Sequence, residues 1–530
     1  MRKNNHSNLR WYAMRSNKKR SVTVVWFKRD LRSSMNHALL QGVGSEWPVL
    51  PLYIVEPEYW SQPDASHRHY QFMSECLAEL RADLAAIGQP LILRVGAARD
   101  VLDQLSNQVQ VRLILSHEET GNAWTFERDK AVQAWCRERG VPWTEIWQNG
   151  VVRGLKDRNG WARNWSQRMH APMLDGPLSL QHLPELEPGP MPIAGDLGLI
   201  EDGCKYRQRG GRRAGLEKLQ SFLKHRGLHY RSKMSSPVTG FNACSRISSY
   251  LAFGSLSLQE AAQATAKQRL VVKARGERGD AWRGSLSSFE GRLHWHCHFM
   301  QKLESEPSLE FRALHPAYHN IRAESGTSHL LPAWQSGETG LPFVDACMRC
   351  LIKTGWMNFR MRAMLVAVAS YHLWLDWRVT GEYLARLFTD YEPGIHWSQM
   401  QMQSGTTGIN TVRIYNPVKQ GLDQDPEGIF IRRWVPELGP VPLNFLHQPW
   451  LWEGAGSLVG KKYPFPIIDH LEAAKSARQK IWAVRGQRGY RDVANAIQTK
   501  HGSRRNRVKM TAGRQKAKPK ALTQQLTFDL

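Results

Sequence analysis

The first part of the chain alternates short apolar runs with stretches of helical periodicity. Each apolar run has the length of one strand, and apolar residues between the runs recur at helical spacing. This alternation predicts a doubly wound parallel sheet over about Ser21 to Gly150. The predicted strands are Val22–Phe27, Pro48–Val55, Leu91–Val95, Val111–Ser116 and Val141–Trp147, and the predicted helices include Tyr70–Ile87 and Thr125–Arg139.

The pattern changes twice after the predicted sheet. From Val151 to about Gly211, Gly, Pro and polar residues dominate, with five prolines between Pro177 and Leu199, which predicts a long connection wrapped over a surface. Beyond Gly211, long apolar-periodic segments predict a mainly helical domain. The longest of these are Ser245–Lys267, Leu286–Leu303, Phe343–Leu375 and Thr380–Thr389.

The predicted fold class is therefore α/β, with an N-terminal doubly wound parallel sheet domain followed by a mainly α-helical domain. The stretch Gly502 to Lys520 is basic and poor in apolar residues, as is typical of disordered tails that bind nucleic acid or add solubility. The predicted divisions are a basic N-terminal arm (1–20), the α/β domain (21–150), an interdomain connection (151–211), the helical domain (212–495) and a basic C-terminal tail (496–530).

The composition indicates what kind of partner the protein binds and in which compartment it works. The 72 Lys and Arg against 47 Asp and Glu give a formal net charge of +25, which favours a polyanion such as nucleic acid, although basic tails in a basic proteome would give the same charge. Seven scattered cysteines indicate reduced thiols rather than a disulfide framework. No apolar stretch approaches the roughly 20 residues that span a bilayer. We therefore expect a cytoplasmic protein without a membrane segment, working as a monomer.

The most informative segment is WQSGETGLPFVDACMRCLIKTGWMNFRMRAMLVAVASYHLWLDWR (Trp334–Arg378). It resembles the W-Q-x-G-x-T-G-x-P-x-V-D-A-x-M-R block of photolyases and cryptochromes, with the T-G-W-M and R-x-R that follow it. On this segment and the blocks below, the chain is identified as a member of that family, in a divergent branch related to class I. The other matching blocks are VVWFKRDLR (Val24–Arg32), SRISSYLAFGSLS (Ser245–Ser257), RIYNPVKQ (Arg413–Gln420) and IRRWVPEL (Ile431–Leu438).

The resemblance implies that the helical domain binds FAD. Hydroxyl and guanidinium groups at Ser245, Arg246 and Ser248 precede and open a predicted helix, where free N–H groups suit a diphosphate. The same residues would also form an ordinary helix N-cap with a surface Arg. By resemblance, the FAD contacts in this part of the chain are Tyr230, Cys244, Ser245, Arg246, Ile247 and Ser248, with Cys244 standing where a Thr is common.

Further FAD contacts are expected near the flavin ring. By resemblance, Arg362 and Asp390 pair beside the ring, where the Arg would favour an anionic reduced flavin. A purely structural salt bridge would occupy the same two residues. Glu392 is the candidate for the second carboxylate of relatives, and His396 lies at or beside the position near flavin N5, which is usually Asn.

The resemblance also implies damaged DNA as the partner, with the lesion flipped into a pocket of aromatic and apolar side chains within a basic rim. Trp295 aligns with a Trp that stacks on the lesion in relatives, although a buried core Trp is the ordinary interpretation. The full set of expected DNA contacts is Arg292, Trp295, Phe359, Arg360, Met402 and Gln420, and the residues assigned to catalysis are Trp377, Trp295 and Arg362.

Several positions depart from the family pattern. Relatives that split cyclobutane dimers carry W-M-H-N-R-x-R-M, whereas this chain has WMNFRMRAM, so that Phe359 replaces an Asn and Ala363 replaces a Met. Both positions are His in relatives that repair the (6-4) lesion. Arg292 replaces a Glu three residues before Trp295. The choice of lesion therefore stays open, with the cyclobutane type favoured.

Relatives pass electrons to FAD through three tryptophans. Trp377 matches the middle one, but Met400 stands at the flavin-proximal position, and a different chain through Trp374, Trp397 and Trp356 is the alternative. A folate or deazaflavin antenna chromophore in the α/β domain is plausible from the family, although the sequence shows no signature for either.

Two motifs that suggest metal binding are discounted. Cys347 and Cys350 lie one turn apart on a predicted helix, and no second Cys pair is present. His294, His296 and His298 alternate on another predicted helix, where only the first and third share a face. We expect pocket lining rather than metal binding.

The leading hypothesis is an FAD-dependent DNA photolyase, in which light drives an electron from reduced FAD to split a pyrimidine dimer. The alternative is a cryptochrome, a blue-light receptor in signalling. Its support is the replaced lesion contacts and the basic extension after Gly502. A weaker third alternative is a photolyase-like DNA-binding protein that has lost repair.

Overall fold

A computed structural model describes residues 19–275, 281–322 and 329–502. The predicted parallel sheet is confirmed, with five strands in the order β3-β2-β1-β4-β5 and every neighbouring pair parallel. The strands are β1 (Ser21–Phe27), β2 (Val49–Val55), β3 (Ile92–Val95), β4 (Gln110–His117) and β5 (Trp143–Ile146).

Both faces of the sheet are covered, which explains why its strands read as continuous apolar runs. Along β1, Val25 and Phe27 belong to a core that includes helices His37–Val43 and His67–Ala86. Trp26, between them, belongs to a separate core on the other face with helices Ala98–Gln108 and Ala123–Arg139. The period of two along the strand thus distributes its side chains between two cores.

The domain after Gly211 is mainly helical, as predicted. The helices of the chain are α1 (His37–Val43), α2 (Pro57–Trp60), α3 (His67–Ala86), α4 (Ala98–Gln108), α5 (Ala123–Arg139), α6 (Trp161–Met169), α7 (Arg212–Lys224), α8 (Tyr230–Lys233), α9 (Pro237–Ala243), α10 (Ser248–Ala252), α11 (Leu258–Ala274), α12 (Ala281–Ser305), α13 (Leu330–Ser336), α14 (Pro342–Thr354), α15 (Phe359–Ala367), α16 (Trp377–Leu387), α17 (Pro393–Ser404), α18 (Pro417–Gln424), α19 (Ile429–Trp434), α20 (His470–Arg485) and α21 (Tyr490–His501), with a π-helical segment at Val368–His372.

Two predicted helices are broken in the structure. The prediction of one helix over Ser245–Lys267 is wrong, because Gly254 has a φ of +65° and separates α10 from α11. The prediction over Phe343–Leu375 is also wrong, because α14 ends at Gly355, where φ is +67°. A left-handed residue cannot continue a right-handed helix, whereas apolar periodicity runs across such a break unnoticed.

The connection between the two domains lies over both of them. The backbone N–H of Leu180 donates to the carbonyl of Ile87, and that of Leu93 donates to the carbonyl of Pro188. Further along, the N–H of Tyr206 donates to the carbonyl of Lys353 in α14. The connection also contains α6, which a Gly- and Pro-rich composition did not predict.

Two arginines of the α/β domain hold the helical domain in place. Arg68, fully buried, pairs with Asp202 at 2.6 Å and donates to the carbonyl of Leu387. Arg29 donates to the carbonyls of Ala252 and Tyr391, each at 2.7 Å. Because Ala252 ends α10 and Tyr391 precedes α17, this contact fixes the relative position of two segments that carry predicted FAD contacts.

The two ends of the chain are described only in part. The α21 helix continues to His501, six residues past the predicted boundary at 495. The predicted arm up to residue 18 and the tail from residue 503 lie outside the described residues. In the described ranges, no helix has both the length and the apolar character needed to cross a membrane.

Candidate functional site

A left-handed turn before α10 lies at the centre of the candidate site. Arg246 has a φ of +61°, a conformation that costs a non-Gly residue roughly 1–2 kcal/mol. Its guanidinium lies against a pair of rings in edge-to-face contact, 4.8 Å from the centre of Phe241 and 4.1 Å from that of Trp356. Gln208 bonds both its Nε and its carbonyl. Burial lowers the pKa of Arg246 to about 10.

Positive charge is concentrated around the Cys244 thiol. Burial raises the pKa of this thiol to about 12, although four arginines act in the opposite direction, Arg246, Arg226, Arg292 and Arg362. Among the described contacts of Arg226, the acceptors are carbonyl oxygens, such as those of Cys244 and Ser245, and one Ser hydroxyl. A group of cations such as this one suits an anionic ligand such as a diphosphate.

Arg226 and Gln208 were missed by the sequence analysis. Arg226 reaches the site by bonding the carbonyls of the turn, and Gln208 by bonding Arg246. Both lie outside the matched motif blocks and carry no local signature. Only the folded path of the chain brings them to the turn.

The predicted pair of Arg362 and Asp390 is present and bidentate. The two guanidinium nitrogens donate to the two carboxylate oxygens at 2.9 and 2.8 Å, and Ser248 also bonds Asp390. Burial alone would raise the pKa of Asp390, but Arg362 lowers it below its usual value. Asp390 is therefore ionised at neutral pH, and the stability that this adds is lost only as pH falls through its lowered pKa.

Tyr230 and Ile247 lie inside the wall of the site. Tyr230 is buried with its ring against Phe222 and Phe289, at 5.5 and 6.1 Å between centroids. Burial raises its pKa to about 12, while Arg292 acts in the opposite direction. Ile247 is also buried. Their contact with FAD stays a prediction.

His396 lies beside the Arg362–Asp390 pair and leads to two tryptophans. Burial lowers the pKa of His396 to about 4, and its Nε2 lies 2.9 Å from the carbonyl of Gly381. Since a carbonyl only accepts, Nε2 carries the proton and the ring is neutral at pH 7. Its centroid is 5.0 Å from that of Trp397, which is 6.0 Å from that of Trp377.

The other two candidate tryptophans lie elsewhere. Trp356 stacks with Arg246 at the turn. Trp374 lies under Arg322 and Lys480. The rings that the structure brings into contact are therefore those of Trp377 and Trp397.

Glu392 points toward the α/β domain. Its carboxylate lies 3.8 Å from Arg29, and its Oε1 has no hydrogen-bond partner among the described residues. It lines an interdomain cavity of about 30 Å³ together with Glu119, Gln148 and His296. A cavity of this size holds water rather than a chromophore, so the antenna prediction gains no support here.

Replacing Glu392 by Gln is expected to change how stability depends on pH. Burial raises the pKa of Glu392 from 4.5 to about 7, although Arg29 opposes this. The folded protein therefore keeps a proton that the unfolded chain loses, and the stability this adds is full below pH 4.5 and lost as pH rises to about 7. Gln cannot ionise, so the variant should gain up to about 3 kcal/mol relative to wild type between pH 5 and pH 8.

The free energy of unfolding in urea, compared at pH 5 and pH 8, measures this effect. Glu453→Gln, at an exposed position of the helical domain, is the control and should shift stability equally at both. An equal shift for Glu392→Gln would contradict the assignment.

An exposed aromatic side chain lies at the start of α15. Phe359 is 41% exposed, and its neighbour Arg360 approaches the side-chain oxygen of Gln420 at 3.5 Å. Asn358, just before it, donates to the carbonyls of Met234 and Ser235. We call the three side chains Phe359, Arg360 and Gln420 the lip. Its combination of aromatic and basic groups suits an unpaired base and its phosphate.

Trp295 and Met402 are half-buried on two packed helices. The Trp295 ring stacks on Phe299 at 5.5 Å and meets His298 edge-on at 4.7 Å. The Ser398 hydroxyl of α17 donates to the Phe299 carbonyl of α12. Arg292, one turn before Trp295, faces Tyr230 and Cys244. The described contacts do not join Trp295 or Met402 to the lip, so their roles stay predictions.

The two motifs that suggested metal binding pack against other side chains of the protein. Cys347 and Cys350 are buried in α14, in the core of the helical domain. His294 and His298 both pack against Trp161 of α6, at 5.0 and 6.0 Å. In the described ranges, no group of three His, Cys, Asp or Glu could hold a metal ion.

Comparisons with protein-family models match two parts of the chain. Residues 23–156 match the model described as DNA photolyase. Residues 289–483 match the model described as FAD binding domain of DNA photolyase. The first match covers the α/β domain, and the second contains Arg362, Asp390 and the lip.

Similar proteins cover nearly the whole chain. A deoxyribodipyrimidine photo-lyase of Vibrio cholerae is 29% identical over 85% of this chain and 97% of its own. A cryptochrome DASH of Gloeobacter violaceus is 25% identical over 87% and 95%. Among solved structures, a class III photolyase of Agrobacterium tumefaciens aligns with a TM-score of 0.77 and 26% identity, over 90% of this chain and 100% of its own.

Proposed function

Because the chain belongs to the DNA photolyase and cryptochrome family and has its FAD-binding domain, we propose that it is an FAD-dependent DNA photolyase. It would use light to split pyrimidine dimers, with the cyclobutane type favoured over the (6-4) type. The observation that carries the proposal is the exposed Phe359 beside Arg360 and Gln420, on the helix that also carries Arg362. The α15 helix thus carries both the exposed Phe359, which could contact an unpaired base, and Arg362 of the Arg362–Asp390 pair.

The residues around Cys244 would hold FAD. Arg226 and Arg246 supply positive charge without a carboxylate among their described hydrogen bonds, which suits the diphosphate. The Arg362–Asp390 pair would lie at the flavin ring, where the fixed guanidinium favours a negatively charged reduced ring. Bound FAD supplies the light absorption and the transferable electron.

The remaining tasks belong to the lip and its surroundings. Phe359 would stack on a base, and Arg360 would pair with a backbone phosphate. Extrusion of the lesion costs a few kcal/mol of stacking and pairing, and least where the base is already damaged. Because this cost is smaller for a damaged base pair than for an intact one, binding at the lip would favour DNA that carries a lesion.

A repair assay tests the proposal. The protein with photoreduced FAD is mixed with an oligonucleotide that contains one cyclobutane dimer, with blue light on or off, and the product is read by chromatography. Light-dependent restoration is expected, and it would show that Phe359 and Ala363 are tolerated replacements. If the dimer stays intact while FAD is bound, the proposal fails for this lesion, and a (6-4) oligonucleotide is tested next.

The second candidate function is a cryptochrome-type blue-light receptor. The observation that favours it is the replacement of lesion contacts, since Phe359 stands in place of an Asn and the buried Ala363 in place of a Met. One similar protein is named cryptochrome DASH. Tight binding of lesion-containing DNA in preference to intact DNA would count against a role in signalling alone.

Replacing Trp397 by Phe is expected to slow light-driven reduction of bound FAD strongly. Trp397 touches both His396 and Trp377, so we propose that it stands between the flavin and Trp377 in place of the missing proximal Trp. Flavin absorbance during illumination with an external reductant measures the rate. Trp482→Phe, at an exposed Trp, is the control. Unchanged photoreduction in Trp397→Phe would reject this path.

A further inference from the structure

The α20 helix carries a stripe of basic and aromatic side chains on its outer face. The positions are i, i+4, i+7, i+11 and i+14, which share one face of a helix. Trp482 is 59% exposed and Leu471 is 60% exposed, and the stripe is about 21 Å long at 1.5 Å per residue. We call it the α20 stripe, and its members are Leu471, Lys475, Arg478, Trp482 and Arg485.

The opposite face of α20 holds the helix in place. Ala477, Ile481 and Val484 are buried in a cluster with aromatic residues that include Tyr371 and Tyr490. The exposed Trp482 is therefore not needed to attach the helix. Its indole ring is therefore free to contact a partner.

The stripe carries two exposed cations, Lys475 and Arg478. Arg485, at its end, is half-buried and donates to the carbonyl of Asn410. The one carboxylate within α20 is Glu472, which approaches Lys475 at 3.7 Å with both side chains exposed. Such an exposed pair contributes little and is readily exchanged for another anion. The Arg485 guanidinium lies 5.4 Å from the centre of the Trp482 ring, so cation and aromatic face form one unit.

We infer that the α20 stripe is a binding surface for single-stranded nucleic acid, separate from the lip. Cations spaced by about one turn would contact successive phosphates, and an unpaired base would stack on Trp482. An acidic protein partner could form ion pairs with the cations, but its carboxylates would not stack on the exposed indole ring. The inference requires neither repair nor bound FAD.

The chain between the stripe and the lip limits how far apart the two surfaces can lie. Arg485 donates to the carbonyl of Asn410 at 2.8 Å. The ten residues from Asn410 to Gln420 can span at most about 36 Å, which is close to the rise of about ten nucleotides along one strand. A strand of about ten nucleotides is therefore as long as the greatest separation that this segment allows between the stripe and the lip.

Binding of fluorescein-labelled oligo(dT) to the full chain in the dark, followed by anisotropy over a range of salt, tests the inference. Trp482→Ala should weaken binding about 5- to 160-fold, the range for one lost stacking platform, and Trp482→Phe should restore most of it. The double variant Lys475→Ala/Arg478→Ala should reduce the slope of log K against log salt by about 1.4, since two phosphate contacts are lost.

Matched controls lie on α11, which ends in exposed cations and an exposed apolar residue. Lys273→Ala/Arg275→Ala removes the same charge, and Leu270→Ala removes an apolar side chain that is 68% exposed. Equal losses in the control and stripe variants would overturn the inference in favour of net charge alone. Wild-type affinity in the stripe variants, or binding to anionic lipid vesicles without binding to oligo(dT), would overturn it too. A failed repair assay leaves all these results unaffected.

Discussion

Replacing Arg362 by Leu is expected to give a protein that purifies without FAD and unfolds more easily by roughly 3–5 kcal/mol. Asp390 is 4% exposed and receives both guanidinium nitrogens of Arg362. Without Arg362 its charge would stay buried with much less compensation, or the carboxyl would have to take up a proton. Flavin absorbance of the purified protein and urea unfolding measure the two effects.

Arg349 provides a matched control for this variant. It pairs with Glu437 at 2.6 Å and is 22% exposed, against 23% for Arg362, but its carboxylate partner is 21% exposed. Arg349→Leu should therefore cost less stability and keep FAD. The double variant Arg362→Leu/Asp390→Leu should recover part of the stability but no FAD. Full FAD content in Arg362→Leu would contradict the proposed place of the pair.

Replacing Asp345 by Asn is expected to destabilise the helical domain, because two buried donors lose their acceptor, which by itself costs about 2–5 kcal/mol. One carboxylate oxygen accepts from the N–H and hydroxyl of Thr339, at 2.9 and 2.6 Å. The other accepts from the N–H of Gly340 and the hydroxyl of Tyr463, at 3.0 and 2.5 Å. An amide offers one acceptor oxygen, and its NH2 group would face the remaining two donors.

Urea unfolding at pH 8 measures this change. Burial raises the pKa of Asp345 to about 6, although the bonds from Thr339 and Tyr463 oppose it, so the side chain is ionised at pH 8. The ionised carboxylate carries a burial cost there that Asn avoids, and this offsets up to about 3 kcal/mol of the loss. The control is Asp423→Asn, which removes a carboxylate that is 42% exposed and paired with Lys419. A loss no larger than that of the control would show that the four bonds are replaceable.

The Asp345 network also explains why part of the recognised motif is informative. The T-G-x-P-x-V-D stretch closes a loop onto its own Asp and ties it to Tyr463, far along the chain. The resemblance therefore identified the family through residues that build the domain as well as through residues that could contact FAD. A motif match alone does not separate these two roles.

The sequence alone determined the order of strands and helices in the α/β domain and the helical character of the second domain. It could do so because strands that are buried on both sheet faces appear in the sequence as short apolar runs. Helices that are buried on one face appear as apolar residues with a period near 3.6. It also paired Arg362 with Asp390 through the resemblance. These are properties of local pattern or of recognisable motifs, so they need no knowledge of distant contacts.

Only the tertiary structure decided which distant residues meet. It broke the predicted helices at Gly254 and Gly355, where left-handed backbone leaves the apolar period intact. It brought Arg226 to the turn at Arg246, placed Trp397 against Trp377, and turned Glu392 toward Arg29 across the domain interface. Such contacts join residues that are far apart along the chain. Neither composition nor periodicity indicates which distant residue a side chain will contact in the folded protein.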